Sequence, residues 1–498
     1  MTQNLKLQKP SERQLSLLLE YYQAGQFEKA IKFARVLIKD FAETPFVWKV
    51  LGAGLAMLSR HTEAADVNRK SIALAPEDAG AHCNYGNSLY EIDRLEDAEE
   101  SYKHALQLQP NLAGAHEGLA RTLTKLGRLD EAQASYRLAL DIEPDSPIAN
   151  YNLGIMLLEL GRLKEARESF TRSIKLNPDF AEAFNNLGNT LQEQGEYVGA
   201  TSSYTKAISI KEDFREAHFN LGIVLFTQKQ YDLAAKQFDL CGSLPAKILG
   251  LKCLYLLDKQ ENFYELFDSI LSTRHVDAVL GSLCSCSEHK FGRKIENPYS
   301  TDPLSQVTNV DLTQVCDFEN VFVSVAKKVL ASQSTSFKAQ GKLTNGVQTA
   351  GNIFKHEDVR KTQIYKIICA EVDKYRTHFQ NSNEGFIRLW PPSYEIRGWL
   401  VCMESGGKLS PHMHDNSWLT GSIYINIPTK LERDSGNLVL CPHDQCDHSK
   451  DQSGKFRIIE VETGMLCLFP ASLHHYTIPF KAKENRIVLA FDVIPVPL

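Results

Sequence analysis

The residue types and spacings that suit metal chemistry lie near the end of this 498-residue chain. His412 and His414, in SPHMHDNSW, stand two residues apart, so on a strand both imidazoles point to the same side in a chelating arrangement. About sixty residues later FPASLHHYTIP brings His474 and His475, and Arg486 follows in ENRIVLAFDV. A facial set of three protein ligands leaves coordination positions open for a bidentate co-substrate and dioxygen.

Strands must carry these groups. GWLVCME, LTGSIYINI, GNLVLCP, FRIIEVE, GMLCLFP and NRIVLAFDVI are short, β-rich and separated by Gly, Asp, Asn or Pro signals. They predict a compact jelly roll or barrel of about eight strands. Tyr424 and Asn426 alternate on one face of the second strand, which places them at the pocket wall. Two amphipathic stretches precede the strands, and the second sets Ile364, Ile367, Ile368, Val372, Tyr375 and Phe379 on one helical stripe. CPHDQCDHS holds the ligand types of a zinc site but sits between predicted strands and reads as a polar loop.

Taken together, HMH at 412–414, TGSIY at 420–424, GMLCLFP at 464–470, His475 and Arg486 resemble the 2-oxoglutarate and iron(II) dependent dioxygenases. The likeness runs from residue 296 to the end and implies a double-stranded β-helix, a cupin-like jelly roll with flanking helices. By that resemblance His412 and His475 are Fe(II) ligands, His414 takes the place of the usual carboxylate ligand, and Arg486 clamps the distal carboxylate of 2-oxoglutarate, with Tyr424 beside it. The reaction implied is oxidative decarboxylation of 2-oxoglutarate coupled to hydroxylation of a substrate. An imidazole at 414 leaves the set one negative charge short, which alters the metal preference. Asp415 faces the other way on a regular strand, and only a bulge there would let it substitute. His474 is the competitor of His475 for the distal position.

Upstream, a 34-residue pattern recurs in fixed register. Trp48, Leu51, Gly52, Leu55, Ala64 and Pro76 are followed by His82, Tyr85, Gly86, Leu89, Ala98 and Pro110, and the marks continue past His218. A small residue at the eighth position and alanine at the twentieth let two helices approach closely, an aromatic at the twenty-fourth fills the gap, and proline stops the second helix. These marks resemble the tetratricopeptide repeat, and seven units fit, the first of them looser. At the sixth position of the unit stand Asn84, Gly118, Asn152, Asn186 and Asn220. The four amides resemble the asparagine ladder of O-linked N-acetylglucosamine transferase, which implies a groove holding an extended peptide backbone through groups that both donate and accept.

These signals divide the chain into a repeat superhelix over 1–248, a helical cap or linker over 249–295 and the dioxygenase-like domain over 296–498. The net charge of -6 gives no basic footprint, so nucleic acid is not an expected partner. The first residues lack the apolar core of a secretory signal, no apolar run approaches a membrane span, and the cysteines, 11 in all, follow no repeating spacing. The expectation is therefore a cytoplasmic hydroxylase whose repeats recruit a protein or peptide. The alternative is a noncatalytic repeat scaffold with a degenerate jelly roll, which the missing acid supports.

Overall fold

Glycine and an aromatic ring sixteen residues later form the contact on which four of the repeats close. In the computed structural model, a Cβ placed on Gly86, Gly154, Gly188 or Gly222 would come within 2.8, 2.7, 2.5 and 2.5 Å of a ring carbon of Tyr102, Phe170, Tyr204 and Phe238. Only glycine leaves room for the ring at those positions. Ala64, Ala98, Ala132, Ala166, Ala200 and Ala234 are each fully buried at the same interface. In the unit starting near Trp48 the ring is replaced by Asn68, whose buried amide donates to Asn84 O at 3.2 Å and Ser88 Oγ at 3.1 Å.

A second regularity sets the turns. Gly25, Ser59, Asp93, Gly127, Gly161, Gly195 and Lys229 all have positive φ, between 58° and 77°, and they recur at the repeat spacing. Each sits between the two helices of a hairpin and reverses the chain through the left-handed region. Fourteen helices, from Glu12–Gln23 to Tyr231–Cys241, thus make seven hairpins.

The described residues are 9–333, 335–338, 341–449 and 455–496. They divide into two compact units that meet between Cys241 and Gly242. The first is the repeat solenoid. The second begins with three helices, Leu244–Leu256, Gln260–Leu271 and Ala278–Phe291, which share a core including Leu251, Phe263, Phe267 and Leu280, with Met413 packed against it.

The rest of this unit is built on one antiparallel sheet of ten strands, curled as a jelly roll, with short helices and helix Ile364–His378 between its strands. The strands are β1 (Thr308–Asp311), β2 (Phe337–Lys338), β3 (Leu343–Thr349), β4 (Tyr394–His412), β5 (Leu419–Asn426), β6 (Leu438–Cys441), β7 (Arg457–Ile459), β8 (Met465–Pro470), β9 (His474–Thr477) and β10 (Arg486–Pro495). The main path runs β1-β8-β5-β10-β4-β9-β6-β7, and β3 pairs with β4 and β2. Length makes β4 the organiser, because its 19 residues pair with β10 at one end and with β9 at the other.

Strand alternation assigns the two faces. Leu489, Phe491 and Val493 of β10, with Leu419, Ile423 and Ile425 of β5, enter a core shared with helix Ile364–His378. Of the helical stripe, Ile364, Ile368, Val372 and Tyr375 belong to that core, and Ile367 and Phe379 pack against it. On the opposite face Tyr424, Val488, Cys467 and Phe469 form a separate cluster. Gly421 of the TGSIY segment is glycine for a packing reason, since a Cβ there would fall inside the ring of Phe491. Among the described residues no helix is long and apolar enough to cross a membrane.

Candidate metal centre

The candidate centre lies where β4 ends. A register shift between Leu409 and His412 bulges β4 against β9 and brings His412 directly opposite His475. His414 lies just past the end of β4, so strand alternation does not place its ring; the chain bends as it leaves the sheet. The three rings still converge, with centroids 4.2 Å (His412 to His475), 5.2 Å (His412 to His414) and 5.0 Å (His414 to His475) apart. Each offers a ring nitrogen within 4.8 Å of the others, a spacing that could hold one metal ion.

Hydrogen bonds assign the tautomers. Nδ1 of His412 lies 2.9 Å from Ser410 O, Nδ1 of His475 3.4 Å from Leu473 O, and Nδ1 of His414 2.5 Å from Asp492 Oδ1. Carbonyl and carboxylate oxygens only accept, so each Nδ1 donates a proton there, which leaves Nε2 as the nitrogen each ring would offer a metal. Burial also favours the neutral rings: it lowers the pKa of His412 to about 4, and that of His475 well below the usual histidine range, with the neighbouring imidazoles acting in the same direction. Three imidazole nitrogens in one small cluster are the donor set of a borderline transition metal.

Beside the imidazoles a cavity is walled by Trp399, Val401, Met403, Leu438, Tyr424 and Arg486, with His414 and His475 at one side. Arg486 is 3% exposed, its guanidinium carbon lies 5.3 Å from the Tyr424 ring centre, and its Nη1 lies 3.9 Å from the Met403 sulfur. Its Nε has no partner among the described residues. Burial pushes its pKa down, opposed only by Tyr424, so no carboxylate of the described residues compensates this charge. An unpaired buried guanidinium is costly, and an anion with a carboxylate would satisfy it.

The remaining sequence candidates fall elsewhere. Asp415 turns away from the imidazoles and pairs with Lys252 at 3.0 Å, because the bulge comes before His412 and not at Asp415. His474 is buried but lies outside the cluster, as alternation on β9 requires. Asn426 spends its amide on Asn485 O, 2.7 Å away at the strand end, while Tyr424 reaches the cavity. Among the described residues Cys441, His443, Cys446 and His448 make no second metal-binding group.

Asp492 was missed by the sequence reasoning. Its carboxylate holds His414 Nδ1 and also accepts from Thr420 Oγ1 at 3.3 Å. The signal was present in the spacing: Arg486, Val488, Ala490 and Asp492 occupy one face of β10 by simple alternation.

In the solenoid the sixth-position amides are half-buried and already bridge repeats. Asn152 Nδ2 donates to Glu117 Oε1 at 2.8 Å, Asn186 Nδ2 to Tyr151 Oη at 3.1 Å, and Asn220 Nδ2 to Asn185 Oδ1 at 3.1 Å and Asn189 Oδ1 at 3.0 Å. Asn84 uses its backbone carbonyl, which accepts from Asn68 and Ser88. Gly118 interrupts the series because a Cβ there would collide with Tyr102.

Comparison with protein families matches residues 397–492 to the family described as "Putative 2OG-Fe(II) oxygenase". Tetratricopeptide repeat families match 83–147, 117–181, 186–240 and 169–201. The chain therefore carries tetratricopeptide repeats and a C-terminal segment that matches this oxygenase family. The oxygenase match contains the three imidazoles and Arg486 and ends on Asp492. Solved structures similar to parts of the chain include the following. MamA is 27% identical over 31% of this chain and 91% of its own, with a TM-score of 0.30. The APC/C hetero-tetramer Cut9-Hcn1 is 17% identical over 49% of each chain, with a TM-score of 0.44. A thermophilic TPR protein of Thermus thermophilus is 22% identical over 36% of this chain and 98% of its own, with a TM-score of 0.33. No curated protein matches the chain.

Proposed function

We propose that the protein is a 2-oxoglutarate- and Fe(II)-dependent dioxygenase that hydroxylates a substrate, with the repeat array recruiting a protein or peptide. The observation that carries this reading is the pairing of three convergent imidazoles with a buried Arg486 that has no acidic partner among the described residues. A metal ion and a dicarboxylate would satisfy both deficits.

Bound iron(II) with 2-oxoglutarate and dioxygen would supply the oxidising chemistry: one oxygen atom of dioxygen would go to 2-oxoglutarate as it loses carbon dioxide and becomes succinate, and the other would enter a substrate C–H bond. His412, His414 and His475 would hold the metal through Nε2, their Nδ1 protons being engaged with Ser410, Asp492 and Leu473. Arg486 would bind the distal carboxylate of 2-oxoglutarate through its fork, and Tyr424 beneath it limits where the guanidinium can move. Trp399, Val401, Leu438 and Val488 line the cavity with apolar surface and exclude water from the charge pair. In the solenoid, Asn84, Asn152, Asn186 and Asn220 would contact an extended peptide through the lone pairs and amide protons left free by their bonds between repeats.

The imidazole at 414 favours one other reading, a noncatalytic repeat scaffold with a degenerate jelly roll. Aerobic incubation with Fe(II) and carboxyl-labelled 2-oxoglutarate separates the two. Release of labelled carbon dioxide by the wild type and none by His475→Ala supports the dioxygenase; no release by the wild type with candidate protein substrates, together with no bound iron, supports the scaffold.

A further inference from the structure

We propose that Asp492 is a positioning residue that supplies, one hydrogen bond removed, the negative charge that a three-histidine set lacks, and so determines how tightly the centre holds a divalent metal. The proposal rests on the metal-site reading above and goes beyond it, since Asp492 touches no metal.

Three observations carry it. The contact is short and direct, 2.5 Å from Asp492 Oδ1 to His414 Nδ1, and both side chains are largely buried, with 13% and 12% exposure. In such surroundings a charged acceptor acts strongly on the ring it touches. The carboxylate is itself fixed, because Thr420 Oγ1 donates to the same oxygen at 3.3 Å and β10 pairs on both sides, with β4 and β5. Finally, the three imidazoles are not equivalent. His412 and His475 rest on backbone carbonyls, at 2.9 and 3.4 Å, and His414 alone of the three has an ionisable acceptor.

The position matters as much as the contact. His414 is the residue that stands where a carboxylate ligand is expected, so the acid lies behind that one ring and behind neither of the others. A carboxylate accepting the Nδ1 proton raises the basicity of Nε2 and fixes both tautomer and ring orientation, which is how partners behind a metal-bound histidine commonly act. Asp492 therefore restores through the ring what a direct carboxylate would give at the metal. Trp399, whose ring centre lies 5.6 Å from that of His414, packs beside the imidazole and limits its rotation further.

The test uses the full-length chain with Asp492→Asn and Asp492→Ala. Asparagine can still accept the Nδ1 proton but carries no charge; alanine removes both. Nitrogen-15 chemical shifts of the metal-free protein report the His414 tautomer, and anaerobic competition against a chelator reports Fe(II) affinity. Circular dichroism checks that each variant is folded. The proposal expects an Nδ1–H tautomer in the wild type that is lost in Asp492→Ala, and affinity reduced roughly 10- to 100-fold in Asp492→Ala. It expects Asp492→Asn to keep the tautomer while losing part of the affinity. Affinities within twofold of wild type in both variants overturn the proposal and leave the metal site standing. A wild type that binds no Fe(II) overturns both. Should Asp492→Ala fail to fold, Asp492→Asn alone decides, since unchanged affinity there removes the charge from the account.

Discussion

His412 and His475 are opposed cross-strand partners on β4 and β9, their ring centres 4.2 Å apart at the edge of a β-bulge. His475 is buried and His412 half-buried, and loss of solvent favours the neutral form of both rings, which links the pair to pH. A histidine whose folded pKa lies below its unfolded value binds fewer protons in the native state, so stability rises with pH through the interval between the two. For His412 that interval runs from about 4 up to the ordinary value of 6.5. The metal-free protein should therefore lose stability as pH falls from 7 towards 4. Urea denaturation of wild type and His412→Gln at pH 7 and pH 5 measures the effect, and the variant should lose less stability over that step, by on the order of 1–2 kcal/mol.

Arg486 carries the opposite expectation for stability and for binding. Its charge is buried without an acidic partner among the described residues, so Arg486→Met should leave the metal-free protein as stable as wild type or more so, by up to about 1–4 kcal/mol. The same substitution should abolish 2-oxoglutarate binding. Arg486→Lys should weaken it by more than about tenfold, because a point charge replaces a two-pronged fork. Calorimetric titration and thermal melts on the same samples report both quantities.

In the solenoid, the amides that would hold a peptide also tie repeat to repeat, as Asn220 does to Asn185 and Asn189. Replacing Asn152, Asn186 and Asn220 together by alanine should therefore weaken partner binding and also lower stability, by roughly 1–3 kcal/mol summed over the lost bonds, while helical content is kept. Circular dichroism and denaturation of the full chain check the second half. A triple variant as stable as wild type would show that the amide bridges contribute nothing.

The repeats were legible because one mark has one cause: glycine at 188 is needed by Tyr204, and the same need returns in register at Gly86, Gly154 and Gly222. The positive-φ turn at Gly195, Asp93 and Lys229 is as regular, yet several residue types serve it, so identity alone hides it. The convergence of His412, His414 and His475 was readable from spacing, although the reason differs from simple alternation: a bulge aligns His412 with His475, and His414 arrives from beyond the strand. Alternation does explain why His474 is left out of the cluster. The role of Asp492 was hidden for another reason. It lies 78 residues from His414, and only the pairing of β10 with β5 and β4 brings the two together.

The central claim is that one iron and one 2-oxoglutarate share the cavity between the three imidazoles and Arg486. Anaerobic equilibrium dialysis of the full-length protein against Fe(II), with and without 2-oxoglutarate, tests it most directly. The account predicts one iron per chain in the wild type, one 2-oxoglutarate bound with it, loss of the iron in His475→Ala, and loss of the 2-oxoglutarate alone in Arg486→Met. Absence of stoichiometric iron in the wild type, or iron retained unchanged in His475→Ala, would contradict it.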